Sequence, residues 1–296
     1  MVYFADKLAY LPRNSVKLRE WRVNNLLIMN EHLVGHSMAD VCAELCRSLN
    51  DETIVVNPSE LMFNALIDWG VDHPDEFTSM RILGDVTTLK QALSEFTIAS
   101  RTADLVHEEL LEVRTVESPP KSSIAVDGER MLAIIDVGTS AGALTTTDPT
   151  FVETIYSDCA GQFNDATAFS LRTPPLSRVE WSMIDRLGDD RWEDFVSLVD
   201  ASAGNGDVDE VVISLLVAAK HGDLLYDISK WGEDIGLASK ATFSRKKSQL
   251  EDAHLIETDS EPIEVGRPRL RLKLAEPALT LASPIEVVEE TERRIA

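Results

Sequence analysis

The stretch "LASKATFSRKKSQLEDAHLIE" (residues 237–257) places Lys240, Arg245, Lys246 and Lys247 within eleven positions of a chain whose formal charge is −23. Ser239 is a good N-cap, and the spacing behind it predicts a helix over 240–253. At about 100° per residue, Phe243, Lys247 and Leu250 share the face that packs inward. Ala241, Arg245, Ser248 and Asp252 lie opposite, flanked by Thr242, Ser244 and Gln249. Small and polar side chains around an arginine are what a helix needs to enter a major groove and meet base edges. Lys247 interrupts the apolar face, so its stem is expected to pack while its amine reaches outward.

The neighbouring segments fit the same architecture. "DEVVISLLVAAKHG" (209–222) reads as an apolar helix stopped by Gly222, and "LLYDISKWGEDIG" (224–236) as a shorter second helix. After the third helix, 255–260 and 270–274 read as strands around a turn-rich loop. Three helices and a two-stranded ribbon make a winged helix-turn-helix. In "GRPRLRLKL", Arg267, Arg269, Arg271 and Lys273 alternate with leucines, so one strand face is basic and the other apolar. Such a wing lies against the DNA backbone or inserts an arginine into the minor groove. Residues 207–276 hold 10 basic and 14 acidic side chains, and eight of those basic ones fall in the third helix or the wing. Their placement, rather than any net basic charge, points to duplex DNA; the competing readings are a protein-interaction winged helix, and an α/β hydrolase or phosphodiesterase-like enzyme with an appended helical domain. Ser239, Lys240, Thr242, Ser244, Arg245, Lys246, Ser248, Arg267, Arg269 and Arg271 are the expected contact residues.

Upstream, the pattern alternates between the two periodicities. Helices are predicted over 37–49, from Pro58 to near Gly70, over 87–113, and from Pro149 to about 166. Strands are predicted over 52–57, 79–85, 122–126, 131–136 and 142–147, with a turn at Asp127-Gly128. The fold class is an α/β N-terminal domain, with a mixed sheet and flanking helices, followed by the winged helix. The expected divisions are 29–175 for a sensor or dimerisation domain, 176–206 for a helical linker, 207–276 for the winged helix and 277–296 for a tail with a helix over 284–295. Residues 1–28 carry a net charge of +3 and lack periodicity. They read as a mis-called upstream start, with Met29 as the true one; a basic arm touching phosphates is the competing reading.

"GTSAG" (138–142) matches the nucleophile-elbow pattern, which needs a strand, a strained serine and then a helix. The sequel "ALTTTD" is strand-like, so Ser140 is read as part of a hairpin connection and no catalytic residue is expected. Cys42, Cys46 and Cys159 show no metal-ligand spacing and read as buried thiols of a reducing compartment, so neither a metal nor a cofactor is expected. No apolar run reaches the roughly 18 residues of a membrane span, and no charged-then-apolar leader opens the chain, so a cytoplasmic location is expected. Acidic residues number 51 against 28 basic, with lysine scarcer than arginine, a balance suited to a cytoplasm of high salt.

With these residues in view, the third helix and "GRPRLRLKL" are similar to the recognition helix and wing of archaeal winged-helix regulators. "AVDGERMLAIIDVGTSAGALTTTDPTFVETIYSDCAGQF" (125–163) resembles the sensor domains of archaeal regulators related to phospholipase D that have lost its activity, and the HxK-type motif is absent here. The order, sensor first and winged helix last, is the reverse of the TrmB regulators and resembles the haloarchaeal TbsP-type regulators. That resemblance implies transcriptional control of central sugar metabolism. Because winged-helix regulators bind two-fold half-sites, a homodimer on double-stranded promoter DNA is expected, with a possible small-molecule effector or second regulator acting through the N-terminal domain.

Overall fold

The computed structural model describes residues 33–35, 37–50, 52–138, 140–202, 208–262 and 268–295. The expectations for 1–28 and for Arg267 therefore fall outside the described residues. The N-terminal unit opens with β1 (Leu33–Gly35) and α1 (Met38–Ser48). A capping box starts α1: the Asp40 amide donates to Ser37 Oγ at 3.2 Å, and the Ser37 amide donates to the Asp40 carboxylate at 3.0 Å. There follow β2 (Thr53–Val56), α2 (Glu60–Asp72), β3 (Met80–Asp85), α3 (Val86–Ala92), α4 (Phe96–His107) and β4 (Leu111–Val116). Then come β5 (Ile124–Val126), β6 (Met131–Asp136), β7 (Ala141–Thr146), α5 (Pro149–Asp165) and β8 (Thr167–Ala168).

These strands form one mixed sheet in the order β1-β7-β6-β5-β2-β3-β4-β8. The strands β2, β3 and β4 are parallel, and the other pairings are antiparallel. The central strand β2 is buried on both faces, which explains its unbroken apolar run. Val55 packs with α1, α2 and α4, whereas Ile54 and Val56 pack with α5 on the opposite face. Period-two alternation thus builds two cores from one strand.

Two expectations need correction here. The helix read over 87–113 is two helices and a strand. Its charge-rich end "EELLEV" has helical propensity, but Leu111 and Val113 are buried while Glu112 is exposed. Glu109 takes a left-handed φ of 59°, which closes α4 and turns the chain into β4 beside β3. The second correction is one of position: the helix read as ending near Gly70 ends two residues on, at Asp72. Gly70 lies inside α2, where packing against Leu105 and Phe77 carries the helix through it.

The C-terminal unit contains α6 (Leu176–Leu187), α7 (Asp189–Ala201), α8 (Glu210–His221), α9 (Leu225–Ile235), α10 (Lys240–Asp252), β9 (Ile256–Glu261), β10 (Arg269–Leu274) and α11 (Pro284–Ile295). A short 3-10 turn, Pro277–Thr280, precedes α11. The segment 176–206, expected as a helical linker, supplies α6 and α7. Their Val179, Met183, Phe195, Leu198 and Val199 share one core with the winged-helix residues Trp231, Phe243, Leu250 and Leu272. Val288 of α11 joins that core, so the segment after 277 packs against the domain as well. Trp231 Nε1 donates to Ser182 Oγ at 3.0 Å, tying α9 to α6 in the interior.

The two units also touch directly. Phe96 of α4 meets Phe195 of α7 edge to face, with centroids 5.9 Å apart. Ser100 Oγ donates to the Pro174 carbonyl at 2.8 Å, and the Asp104 carboxylate accepts from the Leu176 amide and from Ser177 Oγ. Thus α4 holds the first turn of α6.

Candidate nucleic-acid interface

The candidate interface is built on α10. The Ser239 hydroxyl caps it, accepting from the Thr242 amide at 3.2 Å, and lies 3.0 Å from Thr242 Oγ1. Both hydroxyls therefore serve the helix start. Phe243 and Leu250 are fully buried and pin one face to α8 and α9. The close approach depends on Gly232 of α9, where a Cβ would sit 2.4 Å from the Phe243 ring. Gly222, left-handed at φ 71°, ends α8 and sets the turn into α9. The opposite face of α10 presents Ala241, Ser244, Arg245, Ser248 and Gln249 to solvent. Ser248 Oγ donates to the Ser244 carbonyl at 3.2 Å.

The basic residues of α10 differ in their partners. Lys240 Nζ is 2.7 Å from Glu233, Lys246 Nζ is 2.7 Å from Asp209, and Lys247 Nζ is 2.6 Å from Glu251. The stem of Lys247 is largely buried, and its amine reaches Glu251 one turn on; Thr258 Oγ1 donates to the same carboxyl group. Hydrogen bonding to Lys240 holds the Glu233 carboxyl below its ordinary range, and the same bond raises Lys240. Arg245 is exposed and makes no ion pair among the described residues.

The wing strands pair antiparallel, with Arg269 opposite Glu261 and Leu274 opposite Ile256. A single bridge from Leu224 to Arg271 adds the start of α9 to the ribbon. Leu272 is buried, as the alternation requires. The basic face is engaged internally. Arg271 donates to the Gly222 carbonyl and lies 2.6 Å from Glu261, which raises its pKa. Lys273 pairs with Asp259. The Arg269 guanidinium stacks 4.4 Å from the Tyr226 ring centroid, with Asp227 at 3.9 Å. Tyr226 is exposed beside the wing, and sequence reading did not single it out because an aromatic in a first helical turn has no distinctive spacing. Among the described residues of that set, Arg245 and Arg269 are thus the more available cations, while Lys240, Lys246 and Arg271 are held by acidic partners.

Ser140 lies at the foot of the β6–β7 hairpin, where the Val137 amide donates to its carbonyl at 3.1 Å and Asp136 pairs with Ala141. A β-hairpin is not the strand-turn-helix that a nucleophile elbow requires. Cys42, Cys46 and Cys159 are buried free thiols; burial pushes Cys46 up to about 12 and Cys159 up to about 11, and raises Cys42 still further. Such thiols are poor nucleophiles and poor ligands. Among the described residues, no helix is long and apolar enough to cross a membrane, and no cluster of His, Cys, Asp or Glu is arranged to hold a metal.

Comparison with known proteins adds the following. No curated protein matches the sequence. Among solved structures, TrmBL2, an archaeal chromatin protein with a novel mode of DNA binding, superposes with a TM-score of 0.36 at 13% identity. That match covers 52% of this chain and 64% of TrmBL2, less than two-thirds of its length. Nuc, a phospholipase D family member from Salmonella typhimurium, superposes with a TM-score of 0.33 at 10% identity, over 43% of this chain and 88% of its own. Two adjoining family profiles cover nearly the whole chain: "Transcriptional regulator TbsP-like, N-terminal" over residues 30–174, and "Transcriptional regulator TbsP-like, C-terminal HTH domain" over 175–292. The chain therefore belongs to the TbsP-like family of transcriptional regulators, its α/β sheet being the N-terminal unit and α6 to α11 the helix-turn-helix domain.

Proposed function

We propose that this regulator binds promoter DNA by seating the N-terminal half of α10 in the major groove, with the wing on the adjacent backbone. The observation that carries the reading is Arg245, exposed on the outward face of α10 and without an ion pair among the described residues. A guanidinium at such a position can donate both of its bonds to a guanine edge. Ser244 and Ser248 beside it are small enough to let the helix approach, and Ser239, Lys240, Thr242 and Lys246 border the first turns. Arg269 on its tyrosine shelf, with Arg267 and Arg271, forms the positioning set. Lys240, Lys246 and Arg271 meet phosphates by exchanging their carboxylate partners for DNA.

The protein acts as a homodimer on two-fold sites, because one helix reads too few base pairs to be selective. Exposed apolar side chains on the α/β unit, Ile135, Val137 and Leu144, support that unit as the assembly surface. The N-terminal unit receives an effector or a second regulator. The regulated genes belong to central sugar metabolism, and the acidic coat reflects a salt-adapted cytoplasm. Nuclease footprinting of promoter DNA and a genome-wide binding map test this reading. The expected result is discrete protected sites upstream of sugar-metabolic genes. Uniform, sequence-independent occupancy would overturn the claim of selective promoter binding, and discrete sites elsewhere would overturn the gene assignment alone.

A further inference from the structure

An open cavity of about 520 Å3 lies where the carboxyl ends of β3 and β4 meet α3 and the segment that leads into α6. In open α/β sheets, the carboxyl ends of parallel strands are where ligands bind. Two cations line this cavity: Lys90 from α3 and Arg172 from the connecting segment. The company these cations keep is informative. Elsewhere in the α/β unit, Arg47 pairs with Glu44 and Glu76, Arg101 with Asp68, Arg114 with Glu112, and Arg130 with Asp127. Arg81 donates to Tyr156 Oη and the Glu52 carbonyl. Lys90 and Arg172 have no carboxylate partner among the described residues, as is also true of Lys121 outside the cavity, and they are the two cations that line it. The hydroxyls of Ser170 and Thr173 line the same cavity, and neither has a hydrogen-bond partner among those residues. Two solvent-exposed cations and two hydroxyls without protein partners among the described residues, around a volume in the range of small-molecule sites, suit an anion.

We propose that this cavity binds a small phosphorylated metabolite, its phosphate held between Lys90 and Arg172 and its polar body on Ser170 and Thr173. The inference deepens the effector reading given above and rests on it only for its regulatory consequence. That consequence follows from position. Arg172 stands two residues before Pro174, whose carbonyl accepts from Ser100, and α4 caps α6 through Asp104. Ala99 of α4 lines the cavity as well. A ligand that draws Arg172 toward Lys90 therefore acts on the segment that fixes the helix-turn-helix domain to the sheet.

The test uses the full-length protein with inorganic phosphate, 3-phosphoglycerate and uncharged glycerol as probes. Melting temperature and titration calorimetry are measured without DNA. The expected result is stabilisation by 3-phosphoglycerate, a smaller effect of phosphate and none from glycerol. Lys90→Gln with Arg172→Gln should weaken 3-phosphoglycerate binding by about tenfold or more. Lys121→Gln is the control, since Lys121 also has no ion pair among the described residues but lies outside the cavity. It should leave binding unchanged. No stabilisation by either anion, or equal loss in the control and the double variant, would overturn the site. A binding site that leaves DNA affinity unchanged would overturn the regulatory coupling alone. Loss of DNA binding by the unliganded protein would instead bear on the function proposed for α10.

Discussion

Arg245 is exposed and Arg269 partly exposed, and in the proposed complex their surroundings would give them different tasks. Arg245 projects from a rigid helix whose buried face is fixed by Phe243 and Leu250, so its guanidinium arrives in a defined orientation. Losing a bidentate base contact costs about 1–3 kcal/mol and relaxes preference at one base pair. Arg269 lies on Tyr226 at the wing, and its loss should weaken all sequences alike and flatten the salt dependence by about one unit of slope. Arg245→Ala and Arg269→Ala, compared on a cognate and a scrambled site over a salt series, separate the two roles; equal losses on both DNAs would contradict them. The carboxylates bear on the same experiment. When Lys240 leaves Glu233 for a phosphate, the DNA releases a counterion, but the freed Glu233 recruits one. Net release shrinks, so binding should fall only shallowly with salt. Glu233→Gln removes that compensation. It should raise affinity at low salt and steepen the slope by up to about one unit, measured by anisotropy titration. An unchanged slope would mean that Lys240 stays on Glu233 in the complex.

At the scale of elements, the packing of α9 on α10 sets how far α10 stands out. Gly232 is the contact point, because the Phe243 ring occupies the space a side chain would need. Gly232→Ala should destabilise the domain by about 1–3 kcal/mol, the cost of overpacking a filled core, and should reduce DNA affinity as α10 shifts. Thermal unfolding and a parallel DNA titration check both; a variant of native stability would show that the ring can move aside freely. This contact was not legible in "SKWGEDIG", since periodicity marks a glycine only as a break. What periodicity did reveal was the face of α10, because Phe243 and Leu250 among polar residues leave one solution. It also separated β5, β6 and β7, where Asp127-Gly128 and the 137–140 turn punctuate apolar runs. It failed at β4, where local helical propensity in "EELLEV" opposes a strand dictated by the parallel neighbour β3. It also passed over β1 and β8, of three and two residues, which are too short to carry a pattern. For the candidate site, residue types and alternation were readable. The ion pairs of Lys240, Lys246 and Arg271 were not, because their partners come from other elements of the fold.

On the scale of the molecule, the sheet is covered unequally. Among the described residues, α1, α2, α3 and α4 pack over most strands on one face, whereas α5 is the one helix on the other and its core reaches to Met131 and Ala133 of β6. Beyond them, Ile135 and Leu144 lie on that same face, and Leu144 is 53% exposed. Phe151 at the start of α5 and Val137 at the hairpin are exposed as well. In the proposed homodimer a second copy covers these exposed apolar side chains by two-fold symmetry and presents two α10 helices to one duplex. The competing surface is the C-terminal segment, where Leu281 and Ile285 are exposed, Ile285 by 60%. It belongs to the helix-turn-helix domain and offers a narrower stripe. Leu144→Glu should therefore convert a dimer to a folded monomer in light scattering. Affinity for a palindromic site should fall by about tenfold or more as the second half-site is lost from the binding unit. Ile285→Glu should leave both quantities as they are. The reverse pattern, monomers from Ile285→Glu and dimers from Leu144→Glu, would move the interface to α11. It would then leave the uncovered half of the sheet for the effector or second regulator.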